Sequence, residues 1–195
     1  MIPLLILRHG KTSWNLQKKL QGRTDISLCD EGIDILRQQR LPSEFEGYSW
    51  VCSPLSRARQ TAELLGAENV LIEPSLIEMS FGDWEGHTLV DLHARFGADM
   101  RENEARGVDM QPPNGESPRD VQARILPFLK NLSEPTVAVT HKGVIRALKS
   151  LAYDWDMTDK LPMEFKWGAA HLFMIDEKGI PHPSRINIEL ESKAS

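Results

Sequence analysis

The chain has 195 residues, 41% of them hydrophobic and 26% charged, which is the composition of an ordinary globular protein and within the range of one domain. Its 23 Lys and Arg stand against 28 Asp and Glu, a net charge of −5, so no basic footprint for nucleic acid and no basic tail for a membrane surface is present. Any anion this protein handles must be gripped by a local constellation. The opening apolar run, Ile2 to Leu7 ahead of Arg8, is too short for a signal-peptide core or for a membrane span of about 20 residues. Cys29 and Cys52 form neither a CxxC pair nor a disulfide framework, so a cytoplasmic location is expected.

Leu4 to Leu7 reads as a buried strand that empties into Arg8-His9-Gly10. A helix is expected from Asp30, with Asp30 as its cap and Ile33 and Leu36 at helical spacing. Ser49 to Cys52 is a second strand; Ser53-Pro54 then reads as a cap and first helical residue, with the helix ending at Leu65 before Gly66. Asn69 to Ile72 is a third short strand. A helix from Thr88 to Phe96 precedes a polar stretch, Asp99 to Pro118, whose glycines and prolines read as a surface excursion, so residues 87–118 are expected to form a lid-like cover. A helix from Ser117 or Pro118 to about Leu132, a strand from Thr136 to Val139 and a helix from Gly143 to Ala152 follow. Strand candidates His171 to Ile175 and Arg185 to Leu190 would extend the sheet or edge it. This alternation predicts a three-layer α/β sandwich with a mainly parallel central sheet, in a single domain over 1–195.

Three of these strands end in reactive residues: Leu7 leads to Arg8-His9, Cys52 to Ser53 and Arg57, and Val139 to Thr140-His141. Ligands of open α/β sheets bind outside the carboxyl ends of the strands, so the three endings can converge. Two arginines and two histidines in one crevice make an anion site, because arginine forks match phosphate oxygens with paired hydrogen bonds. Taken singly, each of these residues has an ordinary structural use; their coincidence at three strand ends is what points to chemistry. Other routes fit worse: Cys52 and Arg57 are separated by one residue too few for a cysteine-phosphatase loop, and His87 and His93 are poorly spaced for zinc.

Arg8-His9-Gly10-Lys11-Thr12-Ser13-Trp14-Asn15 resembles the RHGxTxWN signature of the histidine phosphatase superfamily, in its phosphoglycerate mutase-like branch. Further blocks follow in the same order: Gln21 to Asp25, Ser53 to Ala62 (SPxxRAxxTA), the acid-bearing loop Glu78 to Gly86, and Thr140-His141. The resemblance implies that His9 is the nucleophile, forming a phosphohistidine. It further implies that Arg8, Arg57 and His141 hold the phosphoryl oxygens, that Asn15 adds a hydrogen bond with Gln21 or the Gly22 amide nearby, and that Glu78 is the general acid and base. That scheme needs no metal and no cofactor; the implied partner is a small phosphorylated metabolite.

Within the superfamily, Trp84-Glu85-Gly86 and Pro113-Asn114-Gly115-Glu116-Ser117 resemble segments of small phosphatases of the α-ribazole phosphatase-like kind. Mutases of the family carry a longer insertion between acid and second histidine, whereas 63 positions separate Glu78 from His141 here. Hydrolysis of a phosphomonoester is therefore expected, with a cofactor-dependent phosphoglycerate mutase as the alternative and a non-catalytic phosphate-binding module as a lower one. Lys11 and Lys142 depart from the family pattern and add positive charge, which predicts a preference for substrates with a second anionic group.

Overall fold

The computed structural model describes residues 1–161 and 163–193. In chain order its elements are β1 (Ile2–Arg8), α1 (Ser13–Leu16), α2 (Asp30–Arg37), β2 (Gln39–Arg40), β3 (Ser49–Cys52), α3 (Ser56–Leu64) and β4 (Val70–Ile72). They continue with α4 (Leu89–Glu104), α5 (Pro118–Lys130), β5 (Thr136–Thr140), α6 (Lys142–Tyr153), β6 (Ala170–Ile175), β7 (Pro181–Ile188) and β8 (Glu191–Ser192). The main sheet has the order β4-β3-β5-β1-β6-β7. Its first four strands are parallel; beyond β1, β6 runs antiparallel to β1 and β7 antiparallel to β6. This is the α/β architecture that the alternation of elements predicts, with the last two strand candidates forming one edge.

Alternation along β1 explains the layers. Leu4 and Ile6 pack on one face with Ile125 and Leu129 of α5 and Val144, Ile145 and Leu148 of α6. Leu5 and Leu7 pack on the other with Leu36 of α2 and Ala58 and Ala62 of α3. A strand covered on both faces needs a continuous apolar run, and β1 has one, Leu4 through Leu7, fully or almost fully buried. The consequence for function lies in register: Arg8 pairs with Thr140, so β1 and β5 end level, and the His9 N–H reaches the Thr140 carbonyl at 2.9 Å.

Several local expectations change. Helix α3 starts at Ser56 with Leu55 as its cap residue, because Ser53 extends the sheet end, its N–H bonded to the Val139 carbonyl at 3.0 Å and its hydroxyl turned toward His141. Cys29, in extended conformation, occupies the cap position of α2 instead of Asp30, which begins the helix proper. Helix α4 continues past Phe96 to Glu104, interrupted only at Gly97 (φ 53°, ψ −112°), so the first residues of the expected surface excursion, from Asp99 to Glu104, are helical. Its N-terminus is fixed by a reciprocal cap between Thr88 and Asp91. Strand β7 begins at Pro181, ahead of the expected Arg185. None of the described helices is long and apolar enough to cross a membrane.

Candidate active site

A cavity of about 720 Å³ opens at the carboxyl end of β1, lined also by Arg57 of α3 and by Lys142 and Gly143 of α6, the helices that follow β3 and β5. Arg8, His9, Asn15, Gln21, Arg57 and Glu78 all line it. His9 leaves β1 with its ring almost fully buried, and its Nδ1 is 2.7 Å from the Gly10 carbonyl oxygen. That contact is satisfied when Nδ1 carries the proton, which leaves the lone pair on Nε2. Burial, then the neighbouring Arg8 and Arg57 charges, hold the His9 pKa well below the ordinary 6.5, so the ring is neutral.

Arg57 is fully buried, on the first turn of α3. Its guanidinium donates to the Gly22 carbonyl at 2.7 Å and the Thr24 carbonyl at 2.9 Å, and its Nε points to His141 Nδ1 at 3.3 Å. These three bonds fix the fork and leave two of its five donors for an anion. Arg8 has no carboxylate partner among the described residues, its buried Nε has no hydrogen-bond partner, and its guanidinium lies 6.0 Å from the Trp167 ring centre. Unpaired buried donors of a cation cost free energy unless a ligand meets them.

His141 is fully buried behind His9, with the two rings 5.1 Å apart between centres. Its Nδ1 faces Arg57 and its Nε2 lies 2.6 Å from the Ser53 hydroxyl. Burial and then the adjacent His9 and Arg57 push its pKa well below 6.5. In this arrangement both ring nitrogens have protein partners and Nδ1 accepts from Arg57, so contact with a phosphoryl oxygen requires Nδ1 to release Arg57 and to carry the ring proton, with Nε2 then accepting from the Ser53 hydroxyl. Ser53, expected as a helix cap, is instead the group that orients this ring. No local pattern distinguishes the two uses, since Ser-Pro is an ordinary helix start.

Glu78 lies across the cavity from these cations, buried, its Oε1 accepting from the Met79 N–H at 2.8 Å and the Gly143 N–H at 3.0 Å. Burial raises its pKa above the ordinary 4.5; the two backbone donors and then Arg57 and Arg8 oppose that rise. Gly143 is required for the approach, because a Cβ there would run into the Glu78 carboxylate.

Two carboxylates outside the set expected from sequence hold these loops. Glu85 accepts from the Arg23 N–H at 2.9 Å, the Thr24 N–H at 3.0 Å and the Phe81 N–H at 3.2 Å, joining the 21–25 loop to the acid-bearing loop. Glu116 accepts from the Ser80 N–H at 2.9 Å and pairs with Arg23 and Arg124, and Arg124 in turn donates to the Ile77 carbonyl at 2.7 Å. Glu78 is thereby bracketed from behind on both sides.

The other expected residues are placed as follows. Asn15 Oδ1 accepts from the Thr12 N–H at 3.0 Å, which commits its oxygen and leaves its NH2 end as a donor. Gln21 Oε1 accepts from the Thr12 hydroxyl at 2.9 Å. Gly22 stands behind Arg57 and is not part of the cavity lining; its carbonyl is the engaged group. Lys142 lines the cavity, but Lys11 pairs with Glu31 and opens on an adjoining cleft, so only one of the two extra lysines faces the main cavity. Cys52 packs at the strand end, where burial pushes its thiol up to about 11.

A match to the histidine phosphatase superfamily (branch 1) covers residues 4–182. The chain belongs to that superfamily. The relatives of this histidine phosphatase superfamily member include a 2,3-bisphosphoglycerate-dependent phosphoglycerate mutase of Azorhizobium caulinodans, 32% identical over an alignment of 161 residues that covers 74% of this chain and 78% of the mutase. Among solved structures, a phosphoserine phosphatase from Entamoeba histolytica in complex with 3-phosphoglyceric acid superposes with a TM-score of 0.79 at 26% identity, covering 96% of this chain and 97% of that one. A mycobacterial glucosyl-3-phosphoglycerate phosphatase solved with VO3 superposes with a TM-score of 0.78 at 26% identity, covering 97% and 100%. The superfamily's enzymes thus include both mutases and phosphatases, on the phosphoglycerate mutase-like fold seen here.

Proposed function

We propose that this protein is a phosphomonoesterase that acts on a small phosphorylated metabolite through a phosphohistidine on His9. The observation that supports it best is the pairing across one cavity of a neutral His9, its Nε2 freed by the Nδ1–Gly10 contact, with a buried Glu78 of raised pKa. Nε2 attacks phosphorus as the ester P–O bond breaks, and the Glu78 carboxyl gives its proton to the departing alkoxide. The remaining donors of Arg8 and Arg57 meet the phosphoryl oxygens, where their positive charge offsets that of the transition state, and His141, once released from Arg57 and with its ring proton on Nδ1, adds a neutral N–H. In the second half Glu78, now ionised, takes a proton from water; the new P–O bond forms, the N–P bond breaks, and phosphate leaves with His9 restored.

A mutase reading has support of its own, since the relatives include enzymes named phosphoglycerate mutases. Hydrolysis is favoured by what the chain lacks relative to the mutase of A. caulinodans. Because 74% of a 195-residue chain is fewer than 161 residues, that mutase has residues within the matched region that this chain does not. We place that difference in the cover between Glu78 and His141, where a thinner wall would admit water to the phosphoenzyme more readily. The test is a phosphomonoester panel of 3-phosphoglycerate, α-ribazole phosphate and sugar phosphates, run with wild type and His9→Ala beside acid-quench trapping of phosphoprotein. Phosphate release with an acid-labile phosphoenzyme is expected; isomerisation of phosphoglycerate outpacing phosphate release would replace the hydrolase reading with the mutase one, and no phosphoenzyme with no turnover would leave a binding module.

A further inference from the structure

We infer that the substrate has a second oxyanion, a carboxylate or another phosphate, that docks on Lys142 and Arg146 in the same cavity as its reacting phosphoryl group. The inference rests on the phosphomonoesterase reading and extends it to substrate class. Lys142 and Arg146 are four residues apart on α6, hence on one face of that helix, and both line the cavity that holds His9 and Glu78. Among the described residues neither has a carboxylate within ion-pairing distance. Their observed partners are aromatic faces and sulfur: Lys142 Nζ lies 5.1 Å from the Trp167 ring centre, Arg146 lies 5.6 Å from that of Trp155, and its guanidinium is 3.9 Å from Met157 Sδ.

Trp167 backs Arg8 as well, so the same indole places the Lys142 ammonium beside the phosphoryl-binding arginine. Burial, followed by the Arg8 and Arg146 charges, lowers the Lys142 pKa, as expected where cations crowd. Two acids line the cavity: Glu78, committed to backbone donors beside His9, and Glu104, which pairs with His93 at 3.1 Å. Like charges spaced i, i+4 on a helix oppose each other. Arg8 and Arg57 already provide for one phosphoryl group, and the additional pair has no protein anion to offset it. A second oxyanion of the substrate would be met by the flat arginine fork and the lysine point charge together. Met110, Met157 and Phe81 line the space nearby, which suits an apolar spacer between the two anionic ends.

The experiment compares ω-carboxyalkyl phosphates and ω-phosphonoalkyl phosphates with the methyl esters of the former, in wild type, Lys142→Met and Arg146→Met. Lys178→Met, which removes an exposed cation from the turn before β7, controls for net charge. Wild type and the control should favour the doubly anionic esters in kcat/KM by about tenfold or more, and each cavity variant should bring that ratio toward one. A parallel titration of the same ligands into His9→Ala, with and without Lys142→Met, reads binding without turnover. Equal efficiency of wild type on charged and methylated esters overturns the second-oxyanion site and leaves hydrolysis standing. Absence of hydrolysis, with binding of the charged ligands alone weakened about tenfold by Lys142→Met, sustains the site and overturns the hydrolase reading instead.

Discussion

The floor and the roof of the cavity are built differently. The floor is made at strand ends: His9 is hydrogen-bonded to Thr140 of the neighbouring strand, Ser53 to Val139, and Arg57 and His141 are fully buried. Part of the roof comes from α4, a helix interrupted at Gly97, whose first turn leaves Leu89 46% and Val90 78% exposed. On the proposed reading, the groups that would hold a transferring phosphoryl in one geometry are anchored by the sheet ladder and by buried neighbours, whereas the α4 surface that would meet the body of the substrate has few such anchors. Substitutions in the floor should therefore remove chemistry, and substitutions in the roof should change preference.

The largest effect is expected from His9→Ala, which removes the attacking nitrogen. Turnover should fall by at least about a thousandfold and phosphoprotein should vanish from acid-quenched reactions. Glu78→Gln comes next, with kcat lowered by about a hundredfold or more on alkyl phosphates. The loss should be smaller on p-nitrophenyl phosphate, whose leaving group needs no proton, and an equal loss on both esters would remove Glu78 from the acid role. The same variant has a stability signature. Because the folded Glu78 pKa is raised above 4.5, the native state keeps a proton the unfolded chain has released, and the stability it contributes is lost as pH rises through the raised value. Glu78→Gln should gain on wild type in urea midpoint over that rise.

The floor histidines predict the opposite slope. Both have pKa values well below 6.5, so as pH falls through 6.5 the unfolded chain takes up protons that the folded protein refuses, and stability declines. Activity that depends on neutral His9 should persist below pH 6.5, with its acid limb displaced downward. An acid limb centred near 6.5 in kcat/KM would contradict a desolvated His9 in the free enzyme.

Ser53→Ala is expected to cost less: loss of a buried hydrogen-bond partner, about 1–3 kcal/mol of stability, and a drop of about tenfold in kcat with little change in KM. The ring nitrogens of His141 should shift in 15N spectra, a change that mere loosening of the strand end would not produce. This residue also marks where the sequence stopped being legible. The Leu4–Leu7 run, the strand endings and the alternation of elements expose the sheet and the residues at its carboxyl edge, because buried parallel strands and abrupt polar endings are local signals. Ser53 reads as a cap because Ser-Pro satisfies a local rule, and its turn toward His141 depends on a strand 88 residues away in the chain. The bracing by Glu85 and Glu116 is equally long-range, and α4 extends to Glu104 into the stretch from Asp99 to Pro118, whose glycines and prolines suggest a loop. Cavity-facing Arg146 is invisible for the same reason: a single arginine in a helix has no periodic signature.

The smallest effect belongs to the roof. In Leu89→Ser/Val90→Ser the substituted side chains are exposed and leave the buried cores untouched, so stability should stay within about 0.5 kcal/mol of wild type. Each side chain offers apolar area to the body of a substrate and none to its phosphoryl group, and burying a few tens of Å² at about 25 cal/mol per Å² is worth under about 1 kcal/mol. The double variant should therefore raise KM for phosphomonoesters with large apolar bodies by about threefold while kcat for the same esters holds, because the strand-end groups that perform the transfer are not disturbed. A fall in kcat of comparable size would mean that the roof also sets the geometry of the reacting groups, and the division between a chemical floor and a selecting roof would fail.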